Sequence, residues 1–299
     1  LTQYALVGAK GYRIEITSED FEHLKLARNC LFNALAIEDK FNLLLENYVE
    51  FEQEVLNRAA HNMVFEFDDW SLSIDQIHTV NRRVINLLTT CRLYEDQVIH
   101  NIHLIYGAGS AQAKAVKSQM SQEYDSTRPG YRVMAALRNY VQHRDLPSLT
   151  LTTTMSRIEH GSNMFVKNTI GLSVNVEALS ESGGFKSEVL TELQSLGESF
   201  NLTFFIRQCL ESFGRIHLKT REILSSDLSG CDELLQHSIN QYQQATGQEV
   251  GLRAGVVSES TLTEGFWIFE DLVTRRKRLE GKNRNLTHYS FHFISSEAP

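Results

Sequence analysis

In the stretch LRNYVQHRDLP, residues 137–147, an arginine and a histidine stand five positions apart. They are Arg138 and His143, and an amide, Asn139, directly follows the arginine. An imidazole titrates near neutrality and can take up and return a proton. A guanidinium stays charged and presents a planar fork of N–H donors that suits phosphate better than an ammonium does. Spacing alone identifies little: with 19 arginines and 11 histidines in 299 residues, chance supplies roughly 0.7 such pairs. Context separates this pair, because it sits on a short helical pattern that follows the break STRPG and is stopped by Arg-Asp-Leu-Pro. On a helix Asn139 and His143, four apart, share a face, whereas Arg138 and His143 diverge by about 140°. Val133, Leu137, Val141 and Arg144 mark the expected buried side, which leaves Arg138 and His143 on opposite flanks of the exposed side.

Other residues of chemical interest are more scattered. Arg83, Arg92 and Asp96 lie with Tyr94 and Glu95 on a polar face of a long helical pattern, and are candidates to border a cleft. Arg275, Arg276, Lys277 and Arg278 head a run of six basic residues over 274–284, which either grips phosphates or solvates a helix end. His100 and His103, three apart, are ligand types with no nearby acid or cysteine pair to complete a metal site. GAGS at 107–110 lacks the GK[ST] of a phosphate loop and reads as a helix stop; neither GxSxG nor HExxH occurs. Four cysteines with no CxxC spacing predict reduced thiols in a cytoplasmic protein.

The elements that must position these residues are mostly helical. Only three prolines occur, at 129, 147 and 299, so nothing rigid interrupts the first 128 residues. After a strand, GYRIEI at 11–16, Thr17 and Ser18 offer caps and Glu19 and Asp20 an acidic first turn. Leu24, Leu31, Leu35, Phe41, Leu45, Tyr48, Phe51 and Val55 then recur at helical spacing to about residue 60. MVFEF at 63–67 reads as a brief strand or an irregular connector, and Ser73 with Gln76 as a capping box that starts a second long helix ending at Gly107 and Gly109. A polar helix over AQAKAVKSQMSQEY and the motif helix, 131–144, complete the first half. Thr-, Val- and Ile-rich segments over about 149–178 predict a small β insertion of two or three short strands. Helices are expected at 186–196, 201–225 and 231–244, then a strand over VGLRAGVV, a helix over LTEGFWIFEDLVTRRKR and a strand over LTHYSFHFI. The expected fold is mainly α: a helical bundle over 1–245, with a small mixed α/β appendage at 246–299 that is either separate or part of the same domain.

RNYVQH resembles the signature of the HEPN superfamily, helical nucleotide-binding and ribonuclease domains in which an Arg, usually followed by a polar residue, precedes a His by four to six residues. LRNYVQHRDLP is similar to a branch of bacterial HEPN proteins carrying LRNYxQHRxLP; the detailed match covers about a dozen residues, with looser agreement over 20–225. The resemblance implies metal-independent RNA cleavage, no cofactor, and an active site assembled in a homodimer. It implies His143 as general acid/base, Arg138 as clamp on the transition-state phosphate and Asn139 as an orienting group. Family context adds a toxin or antiviral-defence role and a possible antitoxin or other partner protein. The alternative is a non-catalytic HEPN-type module that binds RNA or a protein. With 37 acidic against 29 basic residues, the formal charge of −8 requires any RNA site to be local. No apolar run reaches the roughly 18 residues of a membrane span, and the start lacks the basic-then-apolar order of a signal peptide.

Overall fold

The computed structural model describes residues 3–65, 70–160, 163–247, 251–258, 261–269, 271–292 and 294. The chain begins with β1 (Gln3–Val7) and β2 (Arg13–Ile16), followed by helices α1 (Ser18–Val64), α2 (Trp70–Tyr106), α3 (Ala111–Tyr124) and the motif helix α4 (Gly130–His143). Next come β3 (Leu149–His160), β4 (Asn163–Asn175), α5 (Val176–Glu181), α6 (Ser187–Leu196), β5 (Ser199–Asn201) and α7 (Leu202–Thr246). The last elements are β6 (Leu252–Ser258), β7 (Thr261–Ile268) and α8 (Asp271–Lys282), then a single 3₁₀ turn, Tyr289–Phe291. The protein is thus mainly helical with small antiparallel sheets. Among the described residues no helix is long and apolar enough to cross a membrane.

The chain divides into two units. The first comprises Leu1–Lys40, Gln97–Val116 and Lys219–Arg284. Its four-stranded sheet runs β2-β1-β6-β7, all antiparallel, with Tyr4 opposite both Ile16 and Val256. The segment expected as a C-terminal appendage therefore supplies the strand next to the N-terminal one. Tyr4, Phe21 and Phe266 pack as tilted rings with centroids 4.9 and 5.4 Å apart, closing one face of this sheet against the start of α1. That helix start is a reciprocal cap: the Thr17 hydroxyl oxygen accepts from the Asp20 N–H at 3.0 Å, and the Asp20 carboxylate accepts from the Thr17 N–H at 3.1 Å. The Thr17 hydroxyl also donates to that carboxylate at 2.7 Å, and this bond, with the one from the Thr17 N–H, holds the Asp20 carboxyl below its ordinary range.

The second unit comprises Phe41–Asp96, Lys117–Leu218 and Asn285–Pro299. Its core joins Phe41, Phe51, Tyr94, Leu137 and Phe213, all at most 1% exposed. The ring of His217 stacks on Phe41 at 3.8 Å and its Nδ1 meets the Tyr94 hydroxyl at 2.9 Å, so packing and a hydrogen bond fix this buried imidazole in place. Three ion pairs tie α7 to its surroundings: Arg207 with Glu52 at 2.7 Å, Arg215 with Glu123 at 2.7 Å, and Arg128 with the fully buried Glu211. Strands β3 and β4 form one long hairpin in register from Leu149↔Val174 to His160↔Asn163, and β5 pairs only with its base.

Several expectations need correction. In place of two or three short strands, the β insertion holds two long ones, and VEAL after them is helical, because the Asn175 side chain accepts from the Ala178 N–H at 2.8 Å and caps α5. The two helices expected at 201–225 and 231–244 are one. The apolar stripe passes through Leu224, Leu228, Leu235 and Ile239, all buried, so the intervening Ser-Gly costs the roughly 1 kcal/mol of an interior glycine without breaking the helix. LTEGFWI is strand β7, with Gly265 opposite Gly255, where a Cβ on Gly255 would sit 2.4 Å from the Glu264 carbonyl oxygen. Only the following residues are helical. LTHYSFHFI contains a 3₁₀ turn, not a strand, because Glu211 takes both the N–H and the hydroxyl of Ser290, at 2.6 and 2.8 Å. Met63 and Val64 are the last residues of α1, whereas Glu66 and Phe67 lie outside the described residues. Helix α2 begins at Trp70, ahead of the expected capping box, whose Ser73 side chain lies outside the described residues.

Candidate functional site

Helix α4 is positioned from its first residue. Gly130 lies directly on α7: a Cβ there would fall 2.4 Å from the Gln208 Cβ and 2.8 Å from the Phe205 carbonyl oxygen, so only glycine permits the approach. The Gly130 N–H donates to Gln208 Oε1 at 3.2 Å. Two residues on, Arg132 makes a bidentate pair with Glu192 at 2.8 and 2.5 Å and also donates to the carbonyl oxygens of Tyr124 and Ser126. The buried side of the helix is Val133, Met134, Ala136, Leu137 and Tyr140. This corrects the sequence expectation at two positions: Val141 is half-buried and Arg144 is exposed, because the stripe turns toward Tyr140 to meet Phe185.

That rotation carries Arg138 and Asn139 to the rim of a cavity of about 250 Å³ within the second unit. Its floor is apolar: Leu88 and Cys91 from α2, Tyr131 and Met134 from α4, and Cys209 and Phe213 from α7, all buried. Its rim is polar, formed by Arg92 and Glu95 from α2 and by Ala135, Arg138 and Asn139 from α4. Arg138 donates to Asn139 Oδ1 at 3.0 Å, and its Nε is buried with no partner. Among the described residues no carboxylate forms an ion pair with Arg138. A half-buried guanidinium with one amide partner keeps most of its donors for an incoming anion.

Glu95 is the acidic member of the rim. Burial pushes its carboxyl up, against hydrogen bonds from the Tyr131 hydroxyl and from Arg92, the latter at 3.1 Å. Burial and the neighbouring Glu95 charge in turn hold the Tyr131 hydroxyl protonated far above its ordinary range. Under the rim, the Cys209 thiol is pushed up by burial and faces Cys91. All four cysteines are free, and although far apart along the chain they come together in pairs, Cys91 with Cys209 and Cys30 with Cys231.

The sequence candidates do not all converge. Arg138, Asn139 and Arg92 meet at the cavity, and Asp96 joins them through Arg92, 2.8 Å away. His143 is exposed at the last residue of α4 and is not among the cavity-lining residues. Arg83 pairs with Glu50 elsewhere on α2. The basic run belongs to the first unit: Arg275 pairs with Asp39 at 2.9 Å, Arg276 with Asp232 at 2.7 Å and with Glu280, Lys277 with Asp232 at 3.1 Å, and Arg278 is exposed. Arg276, Lys277, Asp232 and Glu280 line a second cavity, of about 460 Å³, where Glu38 also holds Arg221 in a bidentate pair at 2.7 Å. Among the described residues no cluster of three histidine, cysteine or acidic side chains is gathered for a metal ion, at His100 and His103 or elsewhere.

Glu95 and Tyr131 were missed as site residues. A signal for Glu95 was present: it follows Leu88 by seven and Cys91 by four, so a carboxylate stands on the apolar stripe of α2. No family model, curated protein or solved structure matches the chain.

Proposed function

We propose that this protein is a homodimeric, metal-independent RNA endonuclease of HEPN type, with Arg138 of one copy and His143 of the other serving one scissile phosphate. The observation that carries this reading is the state of Arg138. In a chain of formal charge −8, it is a half-buried guanidinium at a cavity mouth whose hydrogen-bond partner is an amide and not a carboxylate. Such a group is held ready for an anion whose charge grows in a transition state.

His143 supplies the complementary chemistry. Its imidazole removes the proton from an RNA 2′-hydroxyl, the 2′-oxygen attacks the adjacent phosphorus, and the bond from phosphorus to the 5′-oxygen breaks. The imidazolium then returns a proton to that leaving oxygen. Arg138 stabilises the dianionic pentacoordinate phosphate, and the products are a 2′,3′-cyclic phosphate and a 5′-hydroxyl. Five residues of helix separate the two groups by about 7.5 Å of rise and 140° of rotation. A two-fold axis beside α4 brings the arginine of one copy toward the histidine of the other, so the geometry of the reaction asks for the dimer.

Purified protein in EDTA should cut single-stranded RNA and leave cyclic-phosphate ends. Each of His143→Ala and Arg138→Ala should lower the rate by about 10²-fold or more without unfolding the protein. Cleavage that survives both substitutions, or a protein that is monomeric at micromolar concentration while active, contradicts the assignment. The exposed position of His143, off the cavity lining, favours one second reading: an RNA-binding module that retains Arg138 as its anion contact. RNA bound in an Arg138-dependent way and left uncut by the dimer would select it.

A further inference from the structure

We infer that the 250 Å³ cavity beneath Arg138 and Asn139 accepts one unstacked base of the bound RNA strand, with guanine preferred. The inference rests on the reading of the protein as an RNA-binding enzyme and adds the element that chooses where the strand is held. Size comes first. The cavity lies just below the ~300–1,000 Å³ of pockets that enclose drug-sized ligands, so it suits a single flat heterocycle and excludes a whole nucleotide with its phosphate.

The lining chemistry is divided as a nucleobase is divided. The floor offers apolar surface for a ring system at Leu88, Met134 and Tyr131, which keep 2–6% of their area exposed above the fully buried Phe213. Unstacked bases of single-stranded RNA are commonly held in this way, against aromatic side chains and with their edges hydrogen-bonded. The rim then supplies the edge contacts. Glu95 lines the cavity while its carboxylate takes hydrogen bonds from Tyr131 and Arg92, which leaves acceptor capacity on its two oxygens. Guanine is the base whose Watson–Crick edge carries two adjacent N–H donors, and an ionised carboxylate accepts both. Asn139 adds an amide beside it, exposed at the rim. Arg138 and Arg92, with side chains reaching the mouth, stand where the phosphates on either side of an inserted base must pass. Base and phosphate are therefore bound by different residues of one site, and they can be tested separately.

The test uses the His143→Ala protein, which on the proposed reading binds without cutting. Two labelled twelve-residue RNA strands are compared by fluorescence anisotropy: one wholly abasic, and one abasic except for a single central guanine. The guanine strand should bind at least about ten-fold more tightly, a factor within the range that one stacked base provides. A uracil in its place should recover less of that gain, because its edge carries one N–H donor. Ala135→Trp, which fills the cavity from its rim, should bind both strands with the affinity of the abasic one, and Glu95→Gln should bring guanine and uracil strands close together. Equal affinity of the guanine and abasic strands overturns the inference and leaves the cleavage reading standing on its own assay. Tight guanine-dependent binding by a protein that never cuts RNA has the opposite meaning: the base site stands and the endonuclease reading falls. Because the first comparison alters only the RNA, it does not depend on whether a cavity variant folds.

Discussion

Two cavities in this chain are built around arginines, and the carboxylates near them are arranged in opposite ways. In the first unit the arginines at the cavity are matched by carboxylates: Arg221 is held by both oxygens of Glu38, and Arg276, 5% exposed, lies between Asp232 and Glu280, although its Nε, like that of Arg138, is buried without a hydrogen-bond partner among the described residues. Burying these charges has a large desolvation cost, which bidentate geometry offsets, and little positive charge is left for a ligand. In the second unit Arg92 is matched by Glu95 and Asp96, but Arg138 has only the Asn139 amide. The first arrangement joins segments far apart in sequence and acts as a fastening. The second leaves the donor set of Arg138 without a carboxylate, as the proposed anion-binding role requires. Proximity of basic residues in sequence, as in Arg275 to Arg278, is thus a poor guide to anion binding unless the acids that face them are known.

The comparison can be broken most sharply by removing one arginine from each cavity. Arg138→Ala should reduce RNA cleavage by about 10²–10³-fold and alter the urea unfolding midpoint little. Arg276→Ala should do the reverse, leaving the cleavage rate of folded protein unchanged and lowering unfolding free energy by about 3–5 kcal/mol, since Asp232 and Glu280 lose a buried partner. If Arg276→Ala destabilises no more than Arg138→Ala, the division into fastening and site is wrong.

A smaller effect tests how α4 is held. Gly130→Ala places a methyl group against Gln208 and the Phe205 carbonyl, and should cost about 1–3 kcal/mol in chemical denaturation. It should also slow cleavage, because Arg138 and His143 ride on the displaced helix.

Glu95 provides a test in pH. Its folded carboxyl binds a proton more tightly than the ordinary carboxyl, with its value of 4.5. As pH rises through the window that starts there, the unfolded chain releases this proton first, so stability falls across the window. Glu95→Gln removes that fall. The unfolding free energy of the variant relative to wild type should rise as pH increases above about 4.5; an unchanged difference would mean that burial does not govern this carboxyl. Arg275→Ala should have the smallest effect, within about 1 kcal/mol, because its pair with Asp39 is solvent-exposed.

What the sequence made legible follows local physics closely. Helices α1 and α2 announce themselves by apolar recurrence, α1 by the Thr17 cap, and α2 by Gly107, whose φ of +88° suits a glycine helix stop. The motif helix follows from the Pro-Gly break before it, with Val133 and Leu137 on its buried side as expected. Where local signals conflict, longer-range packing decides. The serines and Gly230 of α7 read as an end, yet Leu224, Leu228, Leu235 and Ile239 continue the buried stripe. Thr-Leu-Thr-Glu-Gly-Phe-Trp-Ile runs into a helical pattern, and only the partner strand β6 makes it a strand. The cavity is of this second kind. Leu88, Tyr131 and Phe213 are scattered over more than a hundred residues, and no local pattern relates them.

The central claim is that each active site takes its arginine from one copy and its histidine from the other, and mixing two inactive variants tests it most directly. Arg138→Ala and His143→Ala proteins, each dimeric and inactive alone, are combined and allowed to exchange subunits. In a mixed dimer one site regains both residues and the other has neither, and half of the dimers are mixed at equal input. The account therefore predicts recovery of about a quarter of wild-type RNA cleavage. Subunit exchange with no recovered cleavage would contradict it.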